Sequence, residues 1–133
     1  MLERSARIVD GTDNAPIGLK VTVDATPVEE VAPGIGVIES FSNVVVFNTD
    51  DGLTLFDVSH GMAAKSVVAS LRSWSNDRVN TAVYTHGHTE HVGGAGAFNA
   101  DATDRGHQAI NYVAHEGGWK LQLDPETREL IIR

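Results

Sequence analysis

The chain has 133 residues, enough for one domain, and its 41% hydrophobic and 21% charged residues give an ordinary globular balance. It contains no cysteine, which excludes disulfides and thiolate metal ligands. Its net charge of −8, with ten scattered Lys and Arg residues, argues against a nucleic-acid surface. No apolar run is long enough to cross a membrane and no apolar signal segment starts the chain, so we expect a cytoplasmic protein without membrane contact.

The beginning of the chain differs in composition from the rest. Residues 1–18 are polar and rich in turn formers, which predicts an N-terminal arm or loop with a short strand at Ala6–Val9. Residues 19–133 carry the regular apolar patterns and predict one domain. Its first strands are expected at Leu19–Val23, Val28–Val31 and Ile35–Glu39.

The middle of the chain predicts a β-hairpin. Val44–Phe47 is continuously apolar and β-branched, as in a strand buried on both faces. Asn48–Gly52 is a strong turn signal, and Leu53–Val58 returns as the partner strand.

A helix and further strands follow the hairpin. Gly61–Trp74 places apolar residues on one face at the helical period, and Val79–Thr85 is the next strand. This strand, helix, strand order favours parallel pairing and an α/β fold, in which ligands gather beyond the carboxyl ends of strands. Beyond it, residues 98–108 show weak helical character at best. Two further elements are a strand at Ile110–Ala114 and a hairpin of Trp119–Leu123 with Leu130–Ile132.

The stretch directly after Val79–Thr85 has the composition of a metal site. It holds three of the six histidines, His86, His88 and His91, together with the carboxylate of Glu90. Imidazole nitrogens and carboxylate oxygens are the usual ligands of a hydrolytic zinc ion. His86 and His88 alternate and can point the same way, while Glu90 and His91 occupy the next bend. We therefore predict a metal centre here.

This stretch also resembles the His-x-His-x-Asp-His signature of the metallo-β-lactamase fold hydrolases, with Glu90 where the family has aspartate. The resemblance covers roughly Val28–Phe98, and the alkylsulfatase-like hydrolases look most similar among the subgroups. It implies an α/β (α+β) fold: a metallo-β-lactamase-like β-sheet with flanking helices, forming one half of an αββα sandwich.

The resemblance also implies a chemistry. His86 and His88 would bind a first zinc ion and Glu90 and His91 a second, with iron or manganese as alternatives. A zinc-bound hydroxide would attack an ester-like small-molecule substrate, a sulfate ester being the first expectation. Glu90 would be the catalytic carboxylate that accepts or steers protons.

Three further residues are candidates for metal contact or support. Asp57 ends a predicted strand at the same edge of the sheet, where it could orient a ligand histidine or simply bond turn amides; both interpretations stay open. His115 and Glu116 follow the Ile110–Ala114 strand and resemble an Ala-His-Glu stretch of alkylsulfatase-like relatives.

Two functions from different classes remain. The first is a metal-dependent hydrolase of this superfamily. The alternative is a catalytically inactive, truncated module that acts in assembly or binding, which the Glu90 departure favours. A weaker third interpretation is a small β-rich domain whose histidines bind metal only adventitiously. Because a half sandwich leaves an apolar sheet face uncovered, we also expect a homodimer or a higher homo-oligomer.

Overall fold

A computed structural model describes residues 2–12, 25–115, 121–123 and 130–132. The predicted strand Leu19–Val23 and the candidate Glu116 lie outside them. The helices are α1 (Leu2–Val9), α2 (Ala64–Trp74), α3 (Thr89–Val92) and α4 (Ala95–Asp104). The strands are β1 (Glu29–Ala32), β2 (Ile35–Ile38), β3 (Val44–Thr49), β4 (Gly52–Phe56), β5 (Val79–Val83), β6 (Asn111–Val113), β7 (Leu121–Leu123) and β8 (Leu130–Ile132).

The central feature is a six-stranded mixed sheet in the order β1-β2-β3-β4-β5-β6, while β7 and β8 pair separately. Strands β1 to β4 form an antiparallel meander. The predicted hairpin is confirmed: its register ends at the pair Thr49 and Gly52, where Gly52 adopts a positive φ of 112°. Helix α2 connects β4 to β5, which pair in parallel, as the sequence order predicted. Strand β6 also pairs in parallel with β5.

The hydrophobic core lies between one face of this sheet and the helices α2 and α4. Helix α2 buries Val67 and Leu71 and α4 buries Phe98, each no more than 1% exposed. They pack against the alternate residues of the meander, including Val46 and Leu55. None of the described helices is long and apolar enough to span a membrane.

Two predicted elements are wrong. The strand expected at Ala6–Val9 lies in helix α1, because Glu3 in the first turn and Arg7 in the last turn complement the helix dipole and outweigh the β-branched end of the segment. Residues 98–108, expected to be barely helical, fall largely in α4. Its alanines favour a helix, and Phe98 and Ala102, one turn apart, anchor it to the core.

Strand β3 is also less buried than predicted. Val44 and Val46 are fully buried, but Val45 and Phe47 on the opposite face are only half-buried. An apolar row crosses this second face through the cross-strand register: Val37, Val45, Phe56, Val83 and Val113. Phe56 and Val113 remain 36% and 43% exposed. We call this row the outer apolar row.

An ion-pair cluster joins α2 to α4. Arg72 donates from Nε and Nη2 to Asp101 Oδ2 at 2.9 and 2.6 Å, and Arg105 donates to Oδ1 at 2.9 Å. Burial alone would raise the pKa of Asp101, but the hydrogen bonds and charges of the two arginines outweigh it and lower the pKa below its ordinary 3.8. The charged form of Asp101 therefore stabilises the contact between the two helices.

We predict that Asp101→Asn lowers the free energy of unfolding by about 2 kcal/mol at pH 7, because it removes the charge from three hydrogen bonds that Arg72 and Arg105 donate at a partly buried site. Because the folded pKa is depressed, this contribution is present above pH 3.8 and is lost as the pH falls through the folded value. Urea denaturation at pH 7 and pH 3 measures the difference. Asp104→Asn, on an exposed residue of the same helix, is the control. An equal deficit at both pH values would contradict the prediction.

Candidate metal centre

The predicted ligand residues lie where β5 ends. Thr85 turns the chain there by donating its N–H to Asp57 Oδ1 at 2.8 Å. His86 and His88 occupy the following loop, and Glu90 and His91 lie in the short helix α3. The two pairs therefore face the carboxyl edge of the sheet, as the topology predicted.

Helix α3 is held against the chain that leaves β4. The Val58 N–H donates to the His91 carbonyl at 2.8 Å, and the Gly94 N–H donates to the Ser59 carbonyl at 2.9 Å. A Cβ on Gly94 would overlap the carbonyl oxygen of Val58 and lie 3.1 Å from Ala64 Cβ. Glycine at this position thus allows the backbone of α3 to approach the β4 exit and fixes the place of His91.

The three imidazole rings form a cluster. The ring centroids of His86 and His91 are 3.9 Å apart, and those of His86 and His88 are 4.5 Å apart. The His88 side chain is 70% exposed, whereas the His91 side chain is 24% exposed. The cluster is therefore open to solvent on the His88 side and anchored in the protein on the His91 side.

Asp57 supplies that anchor. It is 5% exposed, and its positive φ of 62° turns the carboxylate toward the β5 exit. It accepts hydrogen bonds from the Thr85 N–H and hydroxyl, and its Oδ2 lies 2.7 Å from His91 Nδ1. A carboxylate only accepts, so His91 Nδ1 carries the proton and its Nε2 keeps the free lone pair. Asp57 thus makes both of the contacts considered from the sequence: it bonds a turn amide, and it contacts a predicted ligand histidine.

Sequence reasoning missed two hydroxyl groups of this site. Ser42, from the β2–β3 connection, places Oγ 3.0 Å from His91 Nδ1, and Thr85 places Oγ1 3.0 Å from His86 Nδ1. Thr85 could have been suspected because it precedes the first histidine. Ser42 carries no local signal, since its contact spans 49 residues of sequence and depends on the sheet.

Glu90 lies at the exposed edge of the cluster. Its Oε1 is 3.3 Å from His88 Nδ1. The pKa of Glu90 is lowered, first by a hydrogen bond from its own backbone N–H, against a smaller opposing effect of burial, and further by His88 and His91. Glu90 is therefore ionised at neutral pH and available as an anionic oxygen ligand.

The residue types of the cluster are suitable ligands for a divalent ion, because they combine imidazole nitrogens with a carboxylate. One of them, His91, is already oriented by Asp57. Among the described residues, however, no group of three or more such side chains is placed to hold an ion together. The rings pack against one another, so side-chain rotation would accompany binding. His115 lines the same cavity as His86.

Solved structures share this fold. A B3 metallo-β-lactamase described as the first with an active-site glutamic acid matches at 25% identity and a TM-score of 0.59, covering 74% of this chain and 36% of its own. BJP-1, a subclass B3 metallo-β-lactamase of Bradyrhizobium japonicum, matches at 18% identity and a TM-score of 0.63, covering 88% of this chain and 46% of its own. The sec-alkylsulfatase Pisa1 from Pseudomonas sp. matches at 22% identity and a TM-score of 0.51, covering 65% of this chain and 14% of its own. The chain spans less than half the length of each.

These features define a mixed α/β protein with a histidine and carboxylate cluster at the carboxyl edge of its sheet. The sequence profile of the Metallo-beta-lactamase superfamily matches residues 37–121, which is most of the chain. The chain therefore belongs to the metallo-β-lactamase superfamily, whose members usually bind divalent metals, and its structure covers part of that fold. The comparison with curated proteins gave no significant match.

Proposed function

We propose that the chain carries the metal-binding part of a zinc-dependent hydrolase that cleaves ester-like bonds. The observation that carries the proposal is the 2.7 Å contact between the buried Asp57 carboxylate and His91 Nδ1. It fixes the tautomer that leaves His91 Nε2 able to bind an ion, within a cluster that also holds His86 and His88. Membership of a superfamily of metal-dependent hydrolases supports the same function.

Each residue of the site has a proposed part in the chemistry. His86, His88 and His91 would hold zinc through imidazole nitrogens, and Glu90 would add an anionic oxygen. Bound zinc acts as a Lewis acid and lowers the pKa of water toward neutrality. Asp57 keeps the His91 proton on Nδ1, and ionised Glu90 accepts or steers a proton at the exposed edge of the cluster.

Sulfate esters are the first substrate class to test. The sequence resembles alkylsulfatase-like hydrolases around the histidine motif, and Pisa1, whose name records a sec-alkylsulfatase, shares the fold. Carboxylic esters, lactones, thioesters and β-lactams complete the panel, because β-lactamases share the fold as well.

Turnover of this panel by the zinc-loaded full chain, with and without a chelator, tests the proposal. We expect chelator-sensitive hydrolysis that His91→Ala abolishes and His60→Ala retains. His60 is a matched control because its Nδ1 accepts the Met62 N–H at 3.1 Å, outside the cluster. Hydrolysis that survives both the chelator and His91→Ala would contradict a metal-dependent reaction at this site.

A second candidate function is a non-catalytic module for assembly, favoured by the outer apolar row on the sheet. Apolar side chains in register across five strands form a continuous apolar surface, and such surfaces usually mark an interface. We propose a second copy of the chain as the covering partner. Zinc binding without turnover of any substrate in the panel, in a stable dimer, would favour this function over the hydrolase.

We predict that Phe56→Lys converts the dimer to a monomer, because it places a charge in the middle of the outer apolar row, where burial without a partner is costly. Sedimentation velocity at micromolar concentration measures the change. Met62→Lys is the control, since Met62 is 70% exposed outside the sheet. A wild-type chain that sediments as a folded monomer would contradict self-association.

A further inference from the structure

A cavity of about 600 Å³ opens beside the histidine cluster, between the ends of β5 and β6 and the start of α4. Its walls are mostly apolar and include Tyr84, Val92, Ala95, Tyr112 and Ala114, with His86 at the same cavity. Small-molecule sites have this size and composition, with few polar groups among apolar and aromatic walls. We call it the tyrosine pocket.

Two stacked aromatic rings form its main wall. The centroids of Tyr84 and Tyr112 are 5.6 Å apart with an interplanar angle of 27°. The parallel pairing of β5 and β6 brings them together, because Ala82 pairs with Tyr112 and the Tyr84 N–H donates to the Val113 carbonyl at 2.8 Å. Tyr112 therefore lies in β6, and Tyr84, directly after β5, is bonded to the same strand.

Helix α4 fixes this wall in place. The Tyr112 hydroxyl donates to Asn99 Oδ1 at 2.9 Å and lies 3.3 Å from the Ala95 carbonyl oxygen. Ala95 and Asn99 are one helical turn apart and also line the pocket. With the ring held between the sheet and the helix, the pocket is formed before any ligand arrives, which lowers the entropy cost of binding.

The composition of the lining also favours a neutral ligand. The described lining residues include no carboxylate, lysine or arginine, and besides the tyrosines their polar side chains are those of Thr85, His86, Asn99 and His115. A charged group would lose its hydration against the apolar part of the wall without a carboxylate, lysine or arginine there to replace it, so the pocket suits a neutral apolar group.

We propose that the tyrosine pocket binds the apolar group of the substrate, an aryl or short alkyl group, while the bond to be cleaved faces His86. Tyr84 and Tyr112 then determine specificity through ring stacking and burial, and they take no part in the chemistry. The catalytic part of this proposal rests on the proposed hydrolase function. The binding part does not, because the pocket needs neither metal nor turnover.

Binding of 2-naphthol, a neutral aromatic probe, to the full chain tests the pocket by fluorescence titration without added metal. Ala114→Phe fills the pocket from the end of β6, and we expect it to weaken binding at least tenfold. Ala100→Phe, on an exposed position of α4, is the matched control and should bind as wild type does. Wild-type protein that does not bind the probe, or equal binding by Ala114→Phe, overturns the proposal.

Two further measurements separate loss of the pocket from misfolding and from loss of the hydrolase activity. Far-UV circular dichroism and Tm verify each variant, and Ala95→Phe fills the same pocket from α4 if Ala114→Phe does not fold. With active protein, kcat/KM for phenyl sulfate should fall at least tenfold in the filled variant, mainly through KM. Hydrolysis of phenyl sulfate with an unchanged KM in that variant would overturn the pocket and leave the hydrolase standing. Probe binding by the wild type without hydrolysis of any substrate would support the pocket and contradict the hydrolase.

Discussion

Replacing Asp57 with asparagine is expected to lower the affinity for zinc by about 10- to 100-fold while preserving the fold. Asparagine tolerates the positive φ of 62° at this position and can still accept the Thr85 N–H through its amide oxygen. Its NH₂ group then faces His91 Nδ1 and must donate to it. The His91 proton moves to Nε2, the nitrogen that would otherwise bind the ion.

Competition titration with a chromogenic chelator measures this change. Asp51→Asn provides the control, because Asp51 is an exposed residue of the β3–β4 turn. Its substitution removes the same charge far from the histidines. Comparing the two variants separates the tautomer effect from the general loss of one negative charge. Equal zinc affinities for Asp57→Asn and Asp51→Asn would show that Asp57 does not orient His91 for metal binding.

Adding a single methyl group at Gly94 is expected to lower the free energy of unfolding by about 3 kcal/mol, the upper end for overpacking a buried position. The new Cβ would overlap the Val58 carbonyl oxygen and press on Ala64 at 3.1 Å. The junction of α3 and α4 must then move away from the β4 exit, and His91, whose carbonyl accepts the Val58 N–H, moves with it. Zinc affinity should fall together with stability.

Gly96→Ala is the matched control on the same segment. A Cβ there meets nothing within 4 Å, and the residue lies in helix α4, where alanine is favoured over glycine by roughly 0.5–1 kcal/mol. The two substitutions should therefore shift the urea midpoint in opposite directions. Shifts of the same sign and size would mean that the close approach of α3 to β4 is not what requires glycine at position 94.

Local patterns were enough to predict the part of the fold that carries the site. The turn at Asn48–Gly52 determines the β3–β4 hairpin, and the helix between two apolar strands implies their parallel pairing. That pairing places the residues after β5 at the carboxyl edge of the sheet. The hairpin and the parallel pairing together therefore predict the position of the histidine cluster from the sequence alone.

The features that could not be predicted depend on contacts distant in sequence. Helix α4 has little amphipathic pattern, and its place is set by Phe98 in the core. Ser42 reaches His91 only because the meander brings the β2–β3 connection under α3. The stacking of Tyr84 on Tyr112 requires the β5–β6 register, which neither tyrosine reveals alone.

The most direct test of the metal centre is the metal content of the full chain, purified without a histidine tag and measured by elemental mass spectrometry before and after zinc reconstitution. We predict that the wild-type chain retains zinc, iron or manganese in stoichiometric amount and that His86→Ala loses it while His60→Ala keeps it. A wild-type chain that binds no metal after reconstitution would contradict the account of His86, His88, Glu90 and His91 as a metal centre.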